Sequence, residues 1–170
     1  LKIIKSDGTP ADVCEKGECF VRGPMTTSGY YKQEELGLPP FEDAWVPTGD
    51  ILYQDNEGYY YIADRKKDMI KPGGENVFST EVESVIRMHP AVEECAVIGV
   101  EDRTLGEAIM AIVKLRSGYS LTLDELQTHC RKHLSSYKKP KHIRIVDSMP
   151  KSGTGKILKY VLRQHYNTAT

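Results

Sequence analysis

The stretch Ala63-Asp64-Arg65-Lys66-Lys67-Asp68-Met69-Ile70-Lys71-Pro72-Gly73-Gly74 decides how this chain is divided. Upstream of it the residues alternate as in strands. Within it, five consecutive charged side chains at 64–68 offer no apolar face. Beyond it, a Pro-Gly-Gly turn opens a region in which helical and extended patterns alternate. A charged run between two patterned regions has the composition of a domain boundary. The expected organisation is a β-rich unit over residues 1–65 followed by a compact α+β unit over 66–170, and the expected fold class is α+β.

Working upstream, 59–63 and 50–54 read as strands joined by Asp55-Asn56-Glu57-Gly58, a four-residue hairpin loop. Residues 18–22, ended by Gly23-Pro24, and residues 1–5, followed by Ser6-Asp7-Gly8, read as two more. Working downstream, 67–71 reads as a short strand. Thr80-x-x-Glu83 reads as a capping box opening a helix with Val82, Val85 and Ile86 as its apolar stripe, and His89-Pro90 ends it. Strong strands follow at 92–100 and 108–115. A second capping box, Thr122-x-x-Glu125, opens a helix to about Leu134, with Leu123, Leu126, Cys130 and Leu134 inward. A short strand at 143–146, a loop at 149–156 and a helix at 157–165 complete the pattern.

The chain has 170 residues, 39% hydrophobic and 28% charged, enough to bury a core. No apolar run approaches the ~18 residues of a membrane-spanning helix. Leu1-Lys2-Ile3-Ile4-Lys5 is too short and too charged for a signal peptide. The absence of an initiator Met suggests a fragment cut from a longer chain, though a removed tag would leave the same start. Four cysteines, at 14, 19, 95 and 130, form no C-x-x-C pair. With no secretory signal, they are expected to stay reduced in a cytoplasmic setting.

The net charge of −1 hides an asymmetry. Residues 131–163 carry ten Lys or Arg against one acid, Asp147, whereas residues 1–130 carry 13 against 23 acids. A basic end after an acidic body suggests an anionic partner: a nucleotide, a cofactor phosphate or nucleic acid. The alternative is a solvated basic face.

Four features bear on chemistry. Lys156 ends Pro150-Lys151-Ser152-Gly153-Thr154-Gly155-Lys156, a Gly-rich loop in which a mobile ammonium suits an oxyanion or phosphate. It is not a Walker A loop, because Pro150 stands where that motif has Gly and Ile157 where it has Ser or Thr. Asp50 follows a Gly turn in Pro47-Thr48-Gly49-Asp50 and can accept from two vicinal hydroxyls, as acids do on ribose. Arg65 can fork onto a phosphate or ribose, and Gly73-Gly74 allows close backbone approach by a ligand. The pair His129 and His133 has metal-ligand spacing, but no third ligand has helpful spacing and no metal site is assigned. Each feature has a plain structural counterpart: an exposed lysine, a turn-capping Asp, a charged linker, a core histidine.

In this order and spacing, the motifs resemble the adenylate-forming superfamily of acyl-CoA synthetases, adenylation domains and firefly luciferase. Gly17-Glu18-x5-Gly23 through Gly29-Tyr30-Tyr31 resembles its G-E-L-x-I-x-G…G-Y segment. Trp45-x-x-Thr48-Gly49-Asp50 resembles its T-G-D motif. Asp64-Arg65-x-Lys67-Asp68-x-Ile70-Lys71-x-x-Gly74 through Glu81-Val82-Glu83 resembles its hinge and the loop after it. Pro150-x4-Gly155-Lys156 resembles its terminal lysine motif.

The resemblance implies a β-rich, distorted-barrel end of a large N-terminal domain, followed by a mobile C-terminal lid. It implies a two-step reaction. A carboxylic acid and Mg-ATP give acyl-adenylate and pyrophosphate, and coenzyme A then displaces AMP to give a thioester. Asp50 and Arg65 would contact the nucleotide, Lys67 would be the interdomain pivot, and Lys156 would touch the carboxylate and α-phosphate during adenylation. Lys71, Gly73 and Gly74 would serve the thioester step. The ATP phosphate loop, most of the Mg-ATP site and the acyl pocket would lie in the large N-terminal part, which would also be this unit's partner. Lys66-Lys67-Asp68-Met69-Ile70 looks most like fatty-acyl ligases, and the chain alone is expected to be inactive. Two rivals stand beside this reading: a ligase loading an acyl carrier protein, and a noncatalytic nucleic-acid-binding module using the basic end. The basic segment lacks the aromatic interleaving of such modules, so no nucleic-acid partner is expected.

Overall fold

The computed structural model describes residues 1–36 and 41–167. They fall into two units, Leu1–Lys67 and Asp68–Thr170.

In the first unit, β1 (Lys2–Ile4), β2 (Gly17–Val21), β3 (Val46–Gln54) and β4 (Tyr60–Arg65) form one antiparallel sheet in chain order. The 55–58 loop joins β3 to β4 as expected. Its Asp55 carboxylate accepts from the backbone N–H of Glu57 and of Tyr59, each at 2.9 Å, which sets the turn. β1 pairs with β2 and carries one bridge from Ile4 to Pro10 on its other edge, while β4 pairs with β3 alone, so the described strands of this β-rich segment make an open sheet and no closed barrel. Closure needs the first and last strands to meet, and a three-residue β1 offers little edge for that.

β3 also starts earlier than expected, taking Pro47-Thr48-Gly49-Asp50 into the strand. The register explains how. Phe20 pairs with Pro47 and Glu18 with Ile51, so three residues of β3 face one of β2. The excess forms a bulge in which Gly49 has φ +72°, a conformation glycine adopts without steric cost. Thr48 pins the bulge by donating from Oγ1 to the Cys19 carbonyl at 3.0 Å.

The second unit contains α1 (Ser79–Arg87), β5 (Val92–Asp102), β6 (Gly106–Leu115), α2 (Leu123–Cys130), β7 (His142–Ile145) and α3 (Lys159–Tyr166). The sheet order is β5-β6-β7, with β5 and β6 antiparallel and β6 and β7 parallel. Both faces of the β5–β6 pair are covered. Val97, Ile109, Ala111 and Val113 pack with Val82, Ile86 and Leu126 of α1 and α2. Ala96, Ile98, Val100, Ala108, Met110 and Ile112 pack with Met149 and Leu162. Two buried faces explain why Cys95-Ala96-Val97-Ile98 reads as an unbroken apolar run and not an alternation.

The α+β class is the one expected, and several local expectations are corrected. The strand expected at 67–71 is instead a single 3₁₀ turn, Lys66–Asp68, followed by one bridge between Ile70 and Val77. The Thr80 capping box does not form: α1 starts at Ser79, and its N-cap, Phe78, makes no side-chain cap. Glu83 turns into the protein instead. The Thr122–Glu125 box does form, with both reciprocal hydrogen bonds. Its helix ends at Cys130, one turn before Leu134, although Leu134 is still buried. All four cysteines are free, and no helix among the described residues is long and apolar enough to cross a membrane.

Candidate functional site

The β3–β4 register brings together the two residues of the first unit expected to meet a nucleotide. Asp50 and Arg65 are directly paired, and Arg65 Nε lies 3.0 Å from Asp50 Oδ1. Half of the Arg65 side chain and a quarter of that of Asp50 are exposed, so both offer polar atoms to a ligand. Lys67, two residues on, is exposed and makes no ion pair among the described residues.

In the second unit, the expected thioester-step residues form one loop. Ile70 and Val77 exchange backbone hydrogen bonds of 2.9 and 2.8 Å, closing residues 71–76 into a loop that carries Lys71, Gly73 and Gly74. Gly73 and Gly74 have φ +59° and +88°, a succession that side-chain-bearing residues adopt only with strain. The Gly73 N–H donates to the Leu105 carbonyl at 2.9 Å, and the Lys71 N–H donates to Glu107 Oε2 at 2.6 Å. The loop is thus fastened to the turn between β5 and β6. Asp102 anchors that turn, accepting from the N–H groups of Thr104 and Leu105 at 3.0 Å each. The Lys141 ammonium, with those two N–H groups, holds the Asp102 carboxyl down to about 2.

Lys156 belongs to a second closed loop. Lys151 and Ile157 form a bridge, the Ser152 N–H donates to the Lys156 carbonyl at 2.8 Å, and the Lys156 N–H donates to Ser152 Oγ at 3.2 Å. The Lys156 side chain is exposed and makes no ion pair among the described residues. Its neighbours are tied down. Lys151 meets Glu94 at 2.7 Å and holds that carboxyl below its usual range. Lys159, at the start of α3, meets Glu83 at 2.6 Å and donates to Ser79 Oγ at 2.7 Å.

The two loops hang from opposite ends of β5. The Lys156 loop is tied to Glu94 through Lys151, and α3, which follows it, is tied through Lys159 to Glu83, whose carboxylate also accepts from the Val97 N–H. The glycine loop is tied beyond Asp102. The eight residues from Glu94 to Asp102 span about 26 Å of extended chain.

Sequence reasoning missed the residues that hold this frame. Glu83 is buried and accepts from the Val97 N–H at 2.9 Å while pairing with Arg87 and Lys159. Arg163 pairs with Asp68, fixing the first residue of the second unit to α3. Lys159 and Arg163 are four apart on one helix, a spacing that could have flagged a shared face. The charge asymmetry also changes meaning. Lys138, Lys141, Lys151, Lys159 and Arg163, five of the ten cations of 131–163, pair with Glu81, Asp102, Glu94, Glu83 and Asp68. Much of the basic end is therefore an internal complement to the acidic body, and Lys156 is among the cations left over. His129 Nε2 lies 2.9 Å from the Val85 carbonyl, a packing role for that side chain.

Residues 81–156 match the family described as the AMP-binding enzyme C-terminal domain. Over 161 residues the chain is 42% identical to a 2-succinylbenzoate–CoA ligase of Geobacillus sp. (strain WCH70), covering 95% of this chain and 33% of that protein. Over 163 residues it is 42% identical to a long-chain-fatty-acid–CoA ligase of Yersinia pestis, covering 96% of this chain and 29% of that protein. It matches the structure of o-succinylbenzoate CoA synthetase from Bacillus subtilis, in complex with its acyl-adenylate intermediate, with a TM-score of 0.80 at 36% identity. That match covers 96% of this chain and 33% of the other. The chain spans about a third of the length of the curated relatives it matches.

Proposed function

The chain belongs to the adenylate-forming enzymes, with residues 81–156 its AMP-binding enzyme C-terminal domain, and from that premise we propose that it is the C-terminal third of an AMP-forming fatty acid–CoA ligase. The reaction has two steps on one adenylate. The acid's carboxylate attacks the α-phosphorus of ATP, forming acyl-AMP and releasing pyrophosphate. The CoA sulfur then attacks the acyl carbon, forming the thioester and releasing AMP.

The observation that carries this reading is the attachment of the Lys156 loop and the glycine loop to opposite ends of β5. A rigid unit built this way presents one loop or the other to a single site, and a two-step reaction on one adenylate uses such an exchange. In the first step, the free ammonium of Lys156 offsets charge gathering on the carboxylate and α-phosphate oxygens. In the second, Lys71 and the bare backbone of Gly73-Gly74 take its place, leaving room for a thiol on a long arm. Asp50 accepts from the ribose hydroxyls, and Arg65 donates to ribose or phosphate.

Lys67 is the pivot, and the Asp68–Arg163 pair supports that role. With the next residue fixed to α3, the backbone rotation is left to Lys67 and what precedes it. On this reading, residues 1–65 end the large N-terminal domain and 66–170 form the lid. The ATP phosphate loop, magnesium and the acyl pocket belong to the upstream part. The fatty-acid assignment is supported by Lys66-Lys67-Asp68-Met69-Ile70 and by the long-chain relative. The 2-succinylbenzoate relative, equally similar, marks aryl acids as the competing class.

The test is acyl-CoA formation by the ligase containing this chain, with fatty acids of graded length against aryl acids. Faster turnover of aryl acids overturns the substrate, and failure to form AMP overturns the ligase reading. The 170-residue chain alone is expected to make no acyl-AMP from ATP and any acid; product from it would overturn its assignment as a lid without the site.

A further inference from the structure

Within the glycine loop the backbone makes one 3₁₀ turn, Pro72–Gly74, closed by the Glu75 N–H donating to the Pro72 carbonyl at 3.2 Å. Residues 71–76 are Lys-Pro-Gly-Gly-Glu-Asn, and two adjacent positive-φ glycines give a backbone that many conformations would suit. Beyond that turn and the bridge at its base, the loop is fastened to its surroundings, among the described residues, by the Gly73 N–H to Leu105 carbonyl bond and the Lys71 N–H to Glu107 carboxylate bond. The second is charge-assisted and, at 2.6 Å, short, the stronger kind.

The path of that carboxylate is prepared by β5. Glu107 pairs with Glu101 across the β5–β6 ladder, which puts its side chain on the face that also carries position 99. Position 99 is glycine, although it lies in the middle of a strand and has no left-handed φ that would call for one. A Cβ there would stand 1.8 Å from Glu107 Oε1 and 2.4 Å from its Cδ. The missing side chain makes the space through which Glu107 reaches Lys71. Two carboxylates face each other at 101 and 107, a cross-strand pair that disfavours the sheet locally.

We infer that Glu107 is a positioning residue for the thioester step. It fixes the direction in which Lys71 and Gly73-Gly74 leave the sheet, in space kept open by Gly99. This inference rests on the ligase reading for its function, but not for its geometry.

Two measurements separate these. In the full 170-residue chain, amide exchange at Lys71 is expected to quicken about tenfold or more in Glu107→Ala, the effect of losing one hydrogen bond to a charged acceptor. Core amides such as Val97 and Ile112 should keep wild-type rates, showing that the fold survives. Glu107→Gln retains an acceptor oxygen and should restore most of the protection. Gly99→Ala, which leaves Glu107 in place but fills its path, should copy Glu107→Ala. In the ligase, Glu107→Ala should slow thioester formation from supplied acyl-AMP about tenfold while leaving adenylation unchanged. Unchanged Lys71 exchange in Glu107→Ala overturns the anchoring. Equal loss in both half-reactions, or none in the thioester step, overturns the assigned step. A wild-type ligase that forms no acyl-AMP overturns the ligase reading, while the exchange rates still decide the anchoring.

Discussion

Asp50 and Arg65, fifteen residues apart in sequence, are register partners across β3 and β4, with Arg65 Nε 3.0 Å from Asp50 Oδ1. The pair is partly exposed, so its value to stability is small, within ~1 kcal/mol by comparison with other surface ion pairs. On the proposed reading its value to binding is larger, because each side chain would hold the other in place for a nucleotide. Asp50→Ala in the ligase is expected to raise KM for ATP about tenfold, the cost of losing hydrogen bonds to a charged group, with a nearly unchanged melting temperature. Arg65→Ala should weaken ATP in the same direction. A drop in melting temperature with unaltered KM for ATP would make the pair structural.

Lys156 gives the opposite kind of prediction. Its ammonium is exposed and makes no ion pair among the described residues, and its loop is closed by backbone and Ser152 contacts that survive truncation. Lys156→Ala and Lys156→Gln should therefore fold as wild type. Adenylation should fall about 100- to 1,000-fold, the range for removing one donor from a developing oxyanion. Thioester formation from supplied acyl-AMP should persist. Half-reaction assays check this, and equal loss in both steps counts against the assignment.

Glu83 ties α1, β5 and α3 of the second unit together. It is buried, accepts from the Val97 N–H, and pairs with Arg87 and with Lys159, itself only 15% exposed. Glu83→Ala leaves a largely covered ammonium without its carboxylate, with only Ser79 Oγ still beside it, and a strand N–H without an acceptor. The expected cost is about 3–5 kcal/mol, as for breaking other buried pairs. Urea unfolding of the 170-residue chain measures it. A change below ~1 kcal/mol would show that Lys159 finds water at no cost.

How much of this could be read in the sequence depends on the range of the interaction. The 55–58 hairpin and the Thr122 cap were legible because a few adjacent residues determine them. Thr80-x-x-Glu83 carries the same local signal and misleads, because a tertiary partner, Lys159, 76 positions on, draws Glu83 inward. The T-G-D bulge reads in sequence as a turn because its extra residues show only against β2. The motif residues themselves were legible, including the pairing partners Asp50 and Arg65, though not that they pair. The ion pairs that cancel half of the basic end were not, since composition records charge and not its partner. Glu107 stood outside every motif, and the one sequence sign of its path is a glycine in a strand that needs none.

The turn that carries the glycine loop should loosen in acid, and Asp102 sets where. Its carboxyl is held down to about 2, first by the Lys141 ammonium and then by the Leu105 and Thr104 N–H groups. A carboxyl depressed by folding stabilises the fold fully above its ordinary value near 3.8, and the contribution is lost as pH falls through the folded value. The window is therefore from about pH 4 down to about pH 2. Glu94 and Glu125 are also depressed and weaken the fold over a similar range, so a wild-type titration alone does not isolate Asp102. The difference between wild type and Asp102→Asn does. Wild type should be the more stable above pH 4, and the gap in melting temperature should narrow as pH falls towards 2. The Gly73 amide, which donates to Leu105 in the same turn, should exchange faster in Asp102→Asn at neutral pH. A gap that stays constant from pH 7 to pH 2 would mean that Lys141 and the turn amides do not favour the ionised carboxyl, and the anchor would then be the turn's backbone alone.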